Sequence, residues 1–544
     1  MNLEQFELRL KTYPKEAPGW REGVYTPRKE SITDLSDEDR AKFLTALENG
    51  QLRIKTKAWT ETEVTGFGVY IYVNSVVFSK DTGLKDGVWK IVFCNPTDEE
   101  IRVNCYADEV LMIKDEVIEP GRDREISFNL CSIHEKTSLV FFVSDDATCE
   151  EDAKEKYLYI KDIEYVPLEA KAKGEKPTIF LASDSTVQTY EEFYYPQTGW
   201  GQVFCSYFCP GEELKEYMSD DRIYPQCHVY ERDSIAIENR SIGARSSRSF
   251  IDEGKWNSLL LRARPGDYVF IQWAHNDATA IRPNRYVCPS DFESFLMKYI
   301  DSCKSRGIYV VLVTPVSRRN CDENNGEFPL SFKEYRDVAL KVGEREHIPT
   351  VDLCTMSNDY IKKVGGQEAK SLYLWCPQGA YPDGAYADGV SDNTHLQEYG
   401  ALVYARMVAG ALLELKGFPE IDALKPLIDV SAVPEKKEIR IEEKPVKKDV
   451  PTGFAMQELH VENNVASFLL IWNDVEGAEY YNVYRKGSVD FQFFPIRKVT
   501  AQEKNNSAVL PFQLPAMDVY QVKVTAVFPD GRESEAGRII EFRA

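Results

Sequence analysis

A histidine with an aspartate three residues before it is the first candidate for chemistry in this sequence. The chain of 544 residues contains only six histidines, and His395 lies on a predicted loop, 391–395, just before a predicted helix. The D-x-x-H spacing lets the Asp392 carboxylate hold one imidazole nitrogen while the other faces a nucleophile. An aspartate that caps the following helix is the alternative interpretation of this motif.

A serine that follows a predicted strand is the matching nucleophile. The segment 181–187 leads from an apolar strand through Ser183, Asp184 and Ser185 into a turn of small residues. Such a turn presents the Ser185 hydroxyl at the end of the strand, close to backbone N–H groups. We therefore predict Ser185 as nucleophile, with Asp392 and His395 as its acid and base.

These side chains have to be positioned by the elements of residues 175–425. Apolar strands alternate there with amphipathic helices; strands are predicted at 178–182, 268–273 and 308–313, and helices at 292–305, 332–346 and 399–415. This alternation predicts an α/β fold, a parallel sheet with helices on both faces and its site at the carboxyl ends of the strands.

Four segments resemble, in order, the sequence blocks of the SGNH (GDSL-like) hydrolases, which have a flavodoxin-like fold. The turn at Ser185 resembles block I, 238–250 resembles block II, 273–277 resembles block III, and Asp392 with His395 resembles block V. The segment 198–202, Thr-Gly-Trp-Gly-Gln, is similar to the rhamnogalacturonan-acetylesterase branch. The resemblance spans about 250 residues.

The resemblance implies an oxyanion hole and a serine-esterase mechanism without metal or cofactor. Its donors are the backbone N–H groups of Ser185 and Gly243 and the side-chain amide of Asn276. Ser183 replaces the glycine that the family has in block I, and we expect a small serine to be accommodated there. His275 is expected to pack or hydrogen-bond structurally, and Asp184 to anchor the turn.

The flanking regions have the spacing of all-β domains. Residues 1–170 contain short alternating strands, predict a β-sandwich, and resemble jelly-roll, carbohydrate-binding-module-like domains. This domain either binds sugar, shields the cleft or is structural. Residues 431–452 are rich in Pro, Glu and Lys and predict a linker, and residues 453–544 are similar to fibronectin type III β-sandwiches.

The net charge of the chain limits the classes of binding partner that we expect. The formal net charge is −22, from 66 Lys and Arg against 88 Asp and Glu. Because this field repels nucleic acid and anionic membranes, neither is an expected partner. A neutral polysaccharide fits, whereas an anionic one requires local basic residues such as Arg240, Arg245 and Arg248.

The cellular setting is predicted from the termini and the cysteines. The sequence begins without a basic segment followed by an apolar one, and it has no run of about 18 apolar residues. Its 12 cysteines show neither CxxC pairs nor zinc-ligand spacing. We expect a cytoplasmic protein with reduced thiols, and a homo-oligomer is compatible with the sequence.

The expected reaction is removal of acetyl groups from plant cell-wall oligosaccharides of β-mannan, xylan or rhamnogalacturonan, because the resemblance is to carbohydrate acetylesterases. Trp200, Trp375 and Tyr381 are candidates to stack on sugar rings, with core packing as the alternative. Two other functions stay open: an esterase for lipid, thioester or peptidoglycan acetyl substrates, and a non-catalytic carbohydrate-binding protein.

Overall fold

A computed structural model describes most of the chain beyond residue 74 and shorter stretches before it. The described residues are 7–12, 19–21, 24–26, 31–34, 36, 38, 52–56, 58–61, 69–72, 74–144, 154, 156–219, 227–280, 285–321, 326–381, 384–387, 389–437, 450–462, 465–487, 493–507, 509–515 and 519–543. The chain divides into two compact units, one of residues 1–190, 197–373 and 393–436, the other of residues 191–196, 374–392 and 437–544.

The first unit begins with two antiparallel sheets, of six strands in the order β11-β10-β13-β8-β1-β4 and of four strands in the order β12-β9-β14-β5. Two hairpins, β2-β3 and β6-β7, accompany them. The strands are β1 (Glu7–Thr12), β2 (Gly19–Arg21), β3 (Val24–Thr26), β4 (Ser31–Asp34), β5 (Leu52–Thr56), β6 (Ala58–Glu61), β7 (Val69–Tyr72), β8 (Asn74–Asp81), β9 (Asp86–Cys94), β10 (Ile101–Ala107), β11 (Val110–Ile118), β12 (Asp123–Cys131), β13 (Lys136–Val143) and β14 (Lys156–Pro167).

The two sheets share one hydrophobic core. Alternate residues of β9 point into it, among them Trp89, Ile91 and Phe93, which are fully buried. Phe93 meets Phe141 of the other sheet with ring centroids 5.8 Å apart. The alternation arises because successive side chains of a strand point to opposite faces.

The second part of this unit is a seven-stranded sheet in the order β16-β17-β18-β15-β19-β20-β21. Its strands are β15 (Thr178–Ala182), β16 (Lys215–Met218), β17 (His228–Glu231), β18 (Ala236–Asn239), β19 (Tyr268–Ile271), β20 (Tyr309–Val313) and β21 (Thr350–Val351). The five strands β15 and β18–β21 are parallel. In chain order they run 2-1-3-4-5, the flavodoxin-like order. The antiparallel strands β16 and β17 extend the edge, which the sequence did not predict.

Helices cover both faces of this sheet, as predicted. They are α1 (Ser247–Asp252), α2 (Lys255–Arg262), α3 (Pro289–Lys304), α4 (Lys333–Arg345), α5 (Leu353–Val364), α6 (Glu398–Glu414) and α7 (Pro419–Leu424). Val269 and Ile271 of β19 pack in one core with residues of α1–α4. Phe270 lies on the opposite face and packs against Phe204 of a 3₁₀ turn, with ring centroids 5.7 Å apart. Short 3₁₀ turns occupy Glu192–Tyr194, Phe204–Tyr207, Glu368–Ser371 and Lys425–Leu427.

The N-terminal sheets are bonded to the α/β part at a defined place. Arg306 donates to the Asp86 carboxylate at 2.8 Å and to the Ser132 carbonyl at 3.0 Å. Asn257 of α2 accepts the Cys131 N–H at 2.7 Å. Arg306 precedes β20, so its contacts lie at the amino end of that strand. This end is opposite to the carboxyl edge that carries Ser185.

The second unit contains a three-stranded sheet, β24-β25-β28, and a four-stranded sheet, β27-β26-β29-β30. The elements are β24 (Ala455–Glu462), β25 (Val465–Ile471), β26 (Tyr480–Lys486), β27 (Phe494–Thr500), α8 (Ala501–Asn506), β28 (Leu510–Pro515), β29 (Val519–Val527) and β30 (Ile539–Arg543). Both sheets contribute to one core, where Trp472 meets Tyr481 with ring centroids 5.5 Å apart. Of the predicted linker, 438–449 lie outside the described residues.

Two short segments from the middle of the chain pack in the second unit. Tyr194 contacts Phe494 of β27 with ring centroids 6.1 Å apart, and Tyr195 contacts Tyr381 at 5.6 Å. A further two-stranded sheet pairs β22 (Tyr373–Cys376) with β23 (Val390–Leu396).

The eleven cysteines among the described residues are free, and most are buried. Within the described ranges, no helix combines the length and the apolar character needed to cross a membrane.

Candidate active site

The predicted nucleophile and base meet at the carboxyl end of β15. Ser185 Oγ lies 3.0 Å from His395 Nε2, although 210 residues separate them in the chain. Both side chains are partly exposed. A hydroxyl within hydrogen-bond reach of an imidazole nitrogen is the geometry required for proton removal from the nucleophile.

The turn that carries Ser185 is held by the residues around it. Asp184 accepts hydrogen bonds from the Thr186 N–H and hydroxyl, both at 2.9 Å, and the Gln188 N–H donates to the Asp184 carbonyl at 3.1 Å. The hydroxyl of Ser183 donates to the carbonyl of Gln272 at 2.6 Å. Ser183 has a negative φ, so no left-handed backbone demands a glycine there. Serine at this position is accommodated, as expected.

A buried pair joins this turn to the segment after β19. His275 Nδ1 lies 3.1 Å from Asp184 Oδ2, and Nε2 lies 3.0 Å from the carbonyl oxygen of Val316. Burial by itself raises the pKa of the Asp184 carboxyl, but the His275 charge and the hydrogen bonds from His275 and Thr186 outweigh it and lower that pKa. The expected structural roles of His275 and Asp184 are confirmed.

Gly243 lies beside the nucleophile, but its N–H already has an acceptor. A β-carbon added to Gly243 would lie 3.5 Å from Ser185 Cβ and 3.2 Å from Gln188 Oε1. The Gly243 N–H donates to that same Gln188 oxygen at 2.5 Å. In this conformation the acceptor is a side chain 55 residues away in the chain, and the donation of the Gly243 N–H to an oxyanion stays a prediction.

Asn276 is joined to the same loop. Its amide donates to the Arg245 carbonyl at 2.8 Å, and the Arg245 guanidinium donates to the Gly243 carbonyl at 3.0 Å. A primary amide has two N–H groups, so one bond to Arg245 leaves Asn276 a second donor. The structure thus places Ser185, Gly243 and Asn276 on neighbouring loops. The contacts that join these loops were not predicted from the spacing of the residues.

The acid and base lie on a strand rather than on the predicted loop. β23 includes both Asp392 and His395, because residues 390–396 pair with β22. Tyr386 is buried, which raises the pKa of its hydroxyl, and the nearby Asp392 charge raises it further. An orienting contact from Asp392 to His395 remains a proposal.

Arg319 fixes the segment between these two residues. Its backbone N–H donates to the Asn393 carbonyl at 2.9 Å, and its guanidinium donates to Asn393 Oδ1 at 3.1 Å and to the Gly366 carbonyl at 2.8 Å. The side chain is buried. Sequence reasoning missed Arg319, since no local motif marks a partner that is 74 residues away.

Two of the predicted ligand-facing groups have other roles. Trp200 is 1% exposed and donates to Gln272 Oε1 at 2.9 Å, so it offers no ring face to a sugar, and the stacking prediction for it is wrong. Arg240 is fully buried and pairs with Glu238, so it contributes no positive charge to the surface. Trp375 and Tyr381 are partly exposed, and their predicted contact with sugar stays a prediction.

The remaining arginines suggested by charge are also paired. Arg245 contacts Glu253 at 2.9 Å, and Arg248 contacts Asp252 at 3.2 Å. Each positive charge therefore has a carboxylate beside it.

Comparison with known proteins finds relatives that match a little under half of the chain. Rhamnogalacturonan acetylesterase RhgT of Bacillus subtilis is 32% identical over 246 residues, which are 45% of this chain and 93% of that protein. The "Probable rhamnogalacturonan acetylesterase YesY" of the same organism is 30% identical over 247 residues, 45% of this chain and 96% of that protein. An acetylxylan esterase from Geobacillus stearothermophilus has 14% identity and a TM-score of 0.30, covering 44% of this chain and 94% of its own. No family model matches.

The two Bacillus relatives are at least 30% identical to this chain and are matched over nearly their whole length. The chain therefore belongs to the SGNH hydrolases, in the group of the rhamnogalacturonan acetylesterases, and it is an esterase.

Proposed function

We propose that this chain is a carbohydrate O-acetylesterase that removes acetyl groups from plant cell-wall oligosaccharides through an acyl-enzyme. The observation that carries the proposal is the 3.0 Å contact between Ser185 Oγ and His395 Nε2 at the carboxyl end of β15. The names of the Bacillus relatives favour rhamnogalacturonan as the polymer, ahead of xylan and β-mannan. Its galacturonate makes it anionic, so it is favoured by these names and not by the charge of the chain, since Arg240, Arg245 and Arg248 are each paired with a carboxylate.

The mechanism follows from the roles of these groups. His395 removes the hydroxyl proton of Ser185 as its oxygen attacks the ester carbonyl, and Asp392 orients the imidazole. Hydrogen-bond donors, among them the free N–H of Asn276, stabilise the oxyanion. His395 then protonates the departing sugar oxygen, and a water molecule hydrolyses the acetyl-serine. The side chains named here supply every group that these steps require.

We propose that the two domains on either side of the α/β part support it without taking part in the chemistry. We infer that residues 1–170 and 453–544 are β-sandwich modules, since each contains two sheets around a shared core. The former holds the α/β part through Arg306, and the latter packs with the loops that carry Tyr194 and Tyr381. Tyr381 and Trp375 are the proposed sugar contacts, because both keep part of their rings exposed.

The first test is acetate release from acetylated rhamnogalacturonan, xylan and mannan oligosaccharides, followed by mass spectrometry. We expect release from rhamnogalacturonan oligosaccharides above all. The Ser185→Ala variant should lose about 10⁴-fold or more in kcat, because the nucleophile acts as a unit with its base.

Two results would contradict the proposal. Unchanged hydrolysis by Ser185→Ala would favour a non-catalytic sugar-binding protein. A preference for long-chain over acetyl nitrophenyl esters would favour the lipid or thioester alternative.

A further inference from the structure

The bridging segment, residues 197–202, is bonded to the turn that carries the nucleophile. The backbone N–H of Trp200 donates to the carbonyl of Thr186 at 2.9 Å, and Thr186 directly follows Ser185. The indole of Trp200 also donates to Gln272 Oε1 at 2.9 Å, and the Gln272 amide donates to the Thr186 hydroxyl at 2.8 Å. Trp200 is therefore joined to Thr186 twice, once directly and once through Gln272, and all three side chains are buried.

The bridging segment is also bonded to the chain that carries the base. The Thr198 N–H donates to the carbonyl of Leu396 at 3.1 Å, and Leu396 directly follows His395. An antiparallel bridge joins Gln197 to Gln397, the next residue along. These four contact residues are buried. Because closely packed interiors are hardly compressible, such bonds link the main chain at the nucleophile rigidly to the main chain at the base.

Two glycines allow the bridging segment to approach the nucleophile turn so closely. A β-carbon at Gly199 would lie under 3.0 Å from backbone atoms of Val187 and Gln188, and one at Gly201 would lie 2.6 Å from the Val187 carbonyl oxygen. Neither glycine has a φ in the left-handed region, so the close approach of two backbones requires glycine here. Rotation of a side chain cannot relieve a contact with backbone atoms. A larger residue must therefore move one main chain away from the other.

The end of the bridging segment holds the same turn through a tyrosine. Gln202 Oε1 accepts the backbone N–H of Tyr190 at 3.0 Å, and the Tyr190 hydroxyl donates to the carbonyl of Ser185 at 2.8 Å. Gln202 and Tyr190 are partly exposed, unlike the glycines. This contact can therefore be removed at a smaller cost to folding.

We propose that the bridging segment is a positioning element that sets the separation and the angle between the Ser185 hydroxyl and the His395 imidazole. The inference rests on the proposed acyl-enzyme mechanism. The segment contributes no reacting group and acts through the catalytic pair, whose Oγ and Nε2 atoms are 3.0 Å apart. Proton transfer requires this geometry, and a displacement of about 1 Å can cost about 10²-fold in rate.

The main test compares Gly199→Ala with Gly343→Ala in the full chain. Gly199→Ala forces the bridging segment and the turn apart, so kcat for nitrophenyl acetate should fall about 10²-fold with KM nearly unchanged. Gly343→Ala also brings a β-carbon too close to a neighbour, Thr350 Oγ1, but Thr350 begins β21 and so lies at the amino end of the sheet. Its kcat should stay within about twofold of wild type, whatever its unfolding midpoint. Equal loss of kcat in both variants would mean a general effect of packing and would overturn the inference.

A double-mutant cycle with His395→Ala tests whether the segment acts through the catalytic pair. The rate of His395→Ala is the reference, because oxyanion stabilisation and binding still act without the base. In that background Gly199→Ala should cost less than about threefold, since the alignment that it disturbs no longer matters. The same loss in both backgrounds would overturn the inference.

Gln202→Met covers the case in which Gly199→Ala does not fold. Methionine is close to glutamine in size but accepts the Tyr190 N–H only weakly. Its kcat should fall about tenfold at unchanged KM, again without further loss in the His395→Ala background. Wild-type kcat in folded Gln202→Met or in folded Gly199→Ala overturns the inference. Failure of the proposed mechanism is distinguishable, because Ser185→Ala would then retain activity.

Discussion

At the scale of single residues, Asp277 is a buried carboxyl group directly after Asn276. Burial raises its pKa to about 7, against hydrogen bonds from the Ser247 N–H and hydroxyl that lower it. The Ser247 N–H lies 3.1 Å from Asp277 Oδ1. The second carboxylate oxygen has no hydrogen-bond partner among the described residues, so the neutral acid fits this site better than the anion.

This shift predicts a pH dependence of stability. The folded-state pKa is above the value of about 3.9 for an exposed aspartate. The contribution of Asp277 is therefore complete below about pH 4 and is lost as the pH rises towards 7. Relative to Asp277→Asn, whose amide cannot ionise, the wild type should lose on the order of 4 kcal/mol of unfolding free energy over this range. Urea unfolding between pH 4 and 8 measures it, and parallel curves would contradict it.

Local sequence predicts the catalytic side chains but not all of their hydrogen bonds. The types and spacing of Ser185, Asp392 and His395 predict a serine-esterase centre. The occupation of the Gly243 donor is not predicted by any pattern, because the Gln188 side chain is placed there by the packing of two separate loops.

At the scale of elements, the position of His395 depends on how β23 is held. Arg319 is bonded to Asn393 through its backbone and its guanidinium, two residues before the histidine. The planar fork of arginine bonds to Asn393 and Gly366 together, whereas the single ammonium of lysine does not match this geometry.

Arg319→Lys should therefore displace the end of β23. We expect kcat to fall about tenfold to a hundredfold with KM nearly unchanged, because a small displacement of the base weakens proton transfer. Steady-state kinetics with nitrophenyl acetate measures this change. Arg318→Lys, at the exposed neighbouring position, is the matched control and should remain within twofold of wild type. Equal kinetics for both variants would show that the Asn393 contacts do not position the base.

The elements themselves were well predicted where their pattern is local. Strands at 178–182 and 308–313 and helices at 292–305, 332–346 and 399–415 agree with β15, β20, α3, α4 and α6 within a few residues. The strands β16 and β17, at one end of the seven-stranded sheet, were not predicted. They pair with each other, and β17 pairs with β18, but their own sequences lack a strong apolar alternation.

At the scale of the whole molecule, the N-terminal sheets and the α/β part belong to one compact unit. Arg306 connects them through an ion pair with Asp86 at 2.7 Å, in which both side chains are largely buried. Removing one partner of such a pair leaves an uncompensated charge and costs about 3–5 kcal/mol.

Arg306→Ala should accordingly lower the thermal unfolding midpoint by several degrees while kcat at 25 °C stays unchanged, since Arg306 lies at the amino end of β20. Calorimetry with parallel kinetics measures both quantities. Lys90→Ala is the control, because Lys90 and Glu164 form an exposed pair that contributes little. Loss of kcat in folded Arg306→Ala would mean that the N-terminal sheets influence the chemistry.

The sequence by itself predicted an esterase and the α/β architecture. Strand and helix periodicities act over a few residues, and the blocks with Ser185, Gly243, Asn276 and His395 follow each other in the order of the SGNH hydrolases, which predicts a serine esterase. Tertiary structure alone decided which of these groups are free to act. Contacts between distant segments bury Trp200, bond the Gly243 N–H to Gln188 and bond Arg319 to β23. No local spacing of residues predicts these contacts.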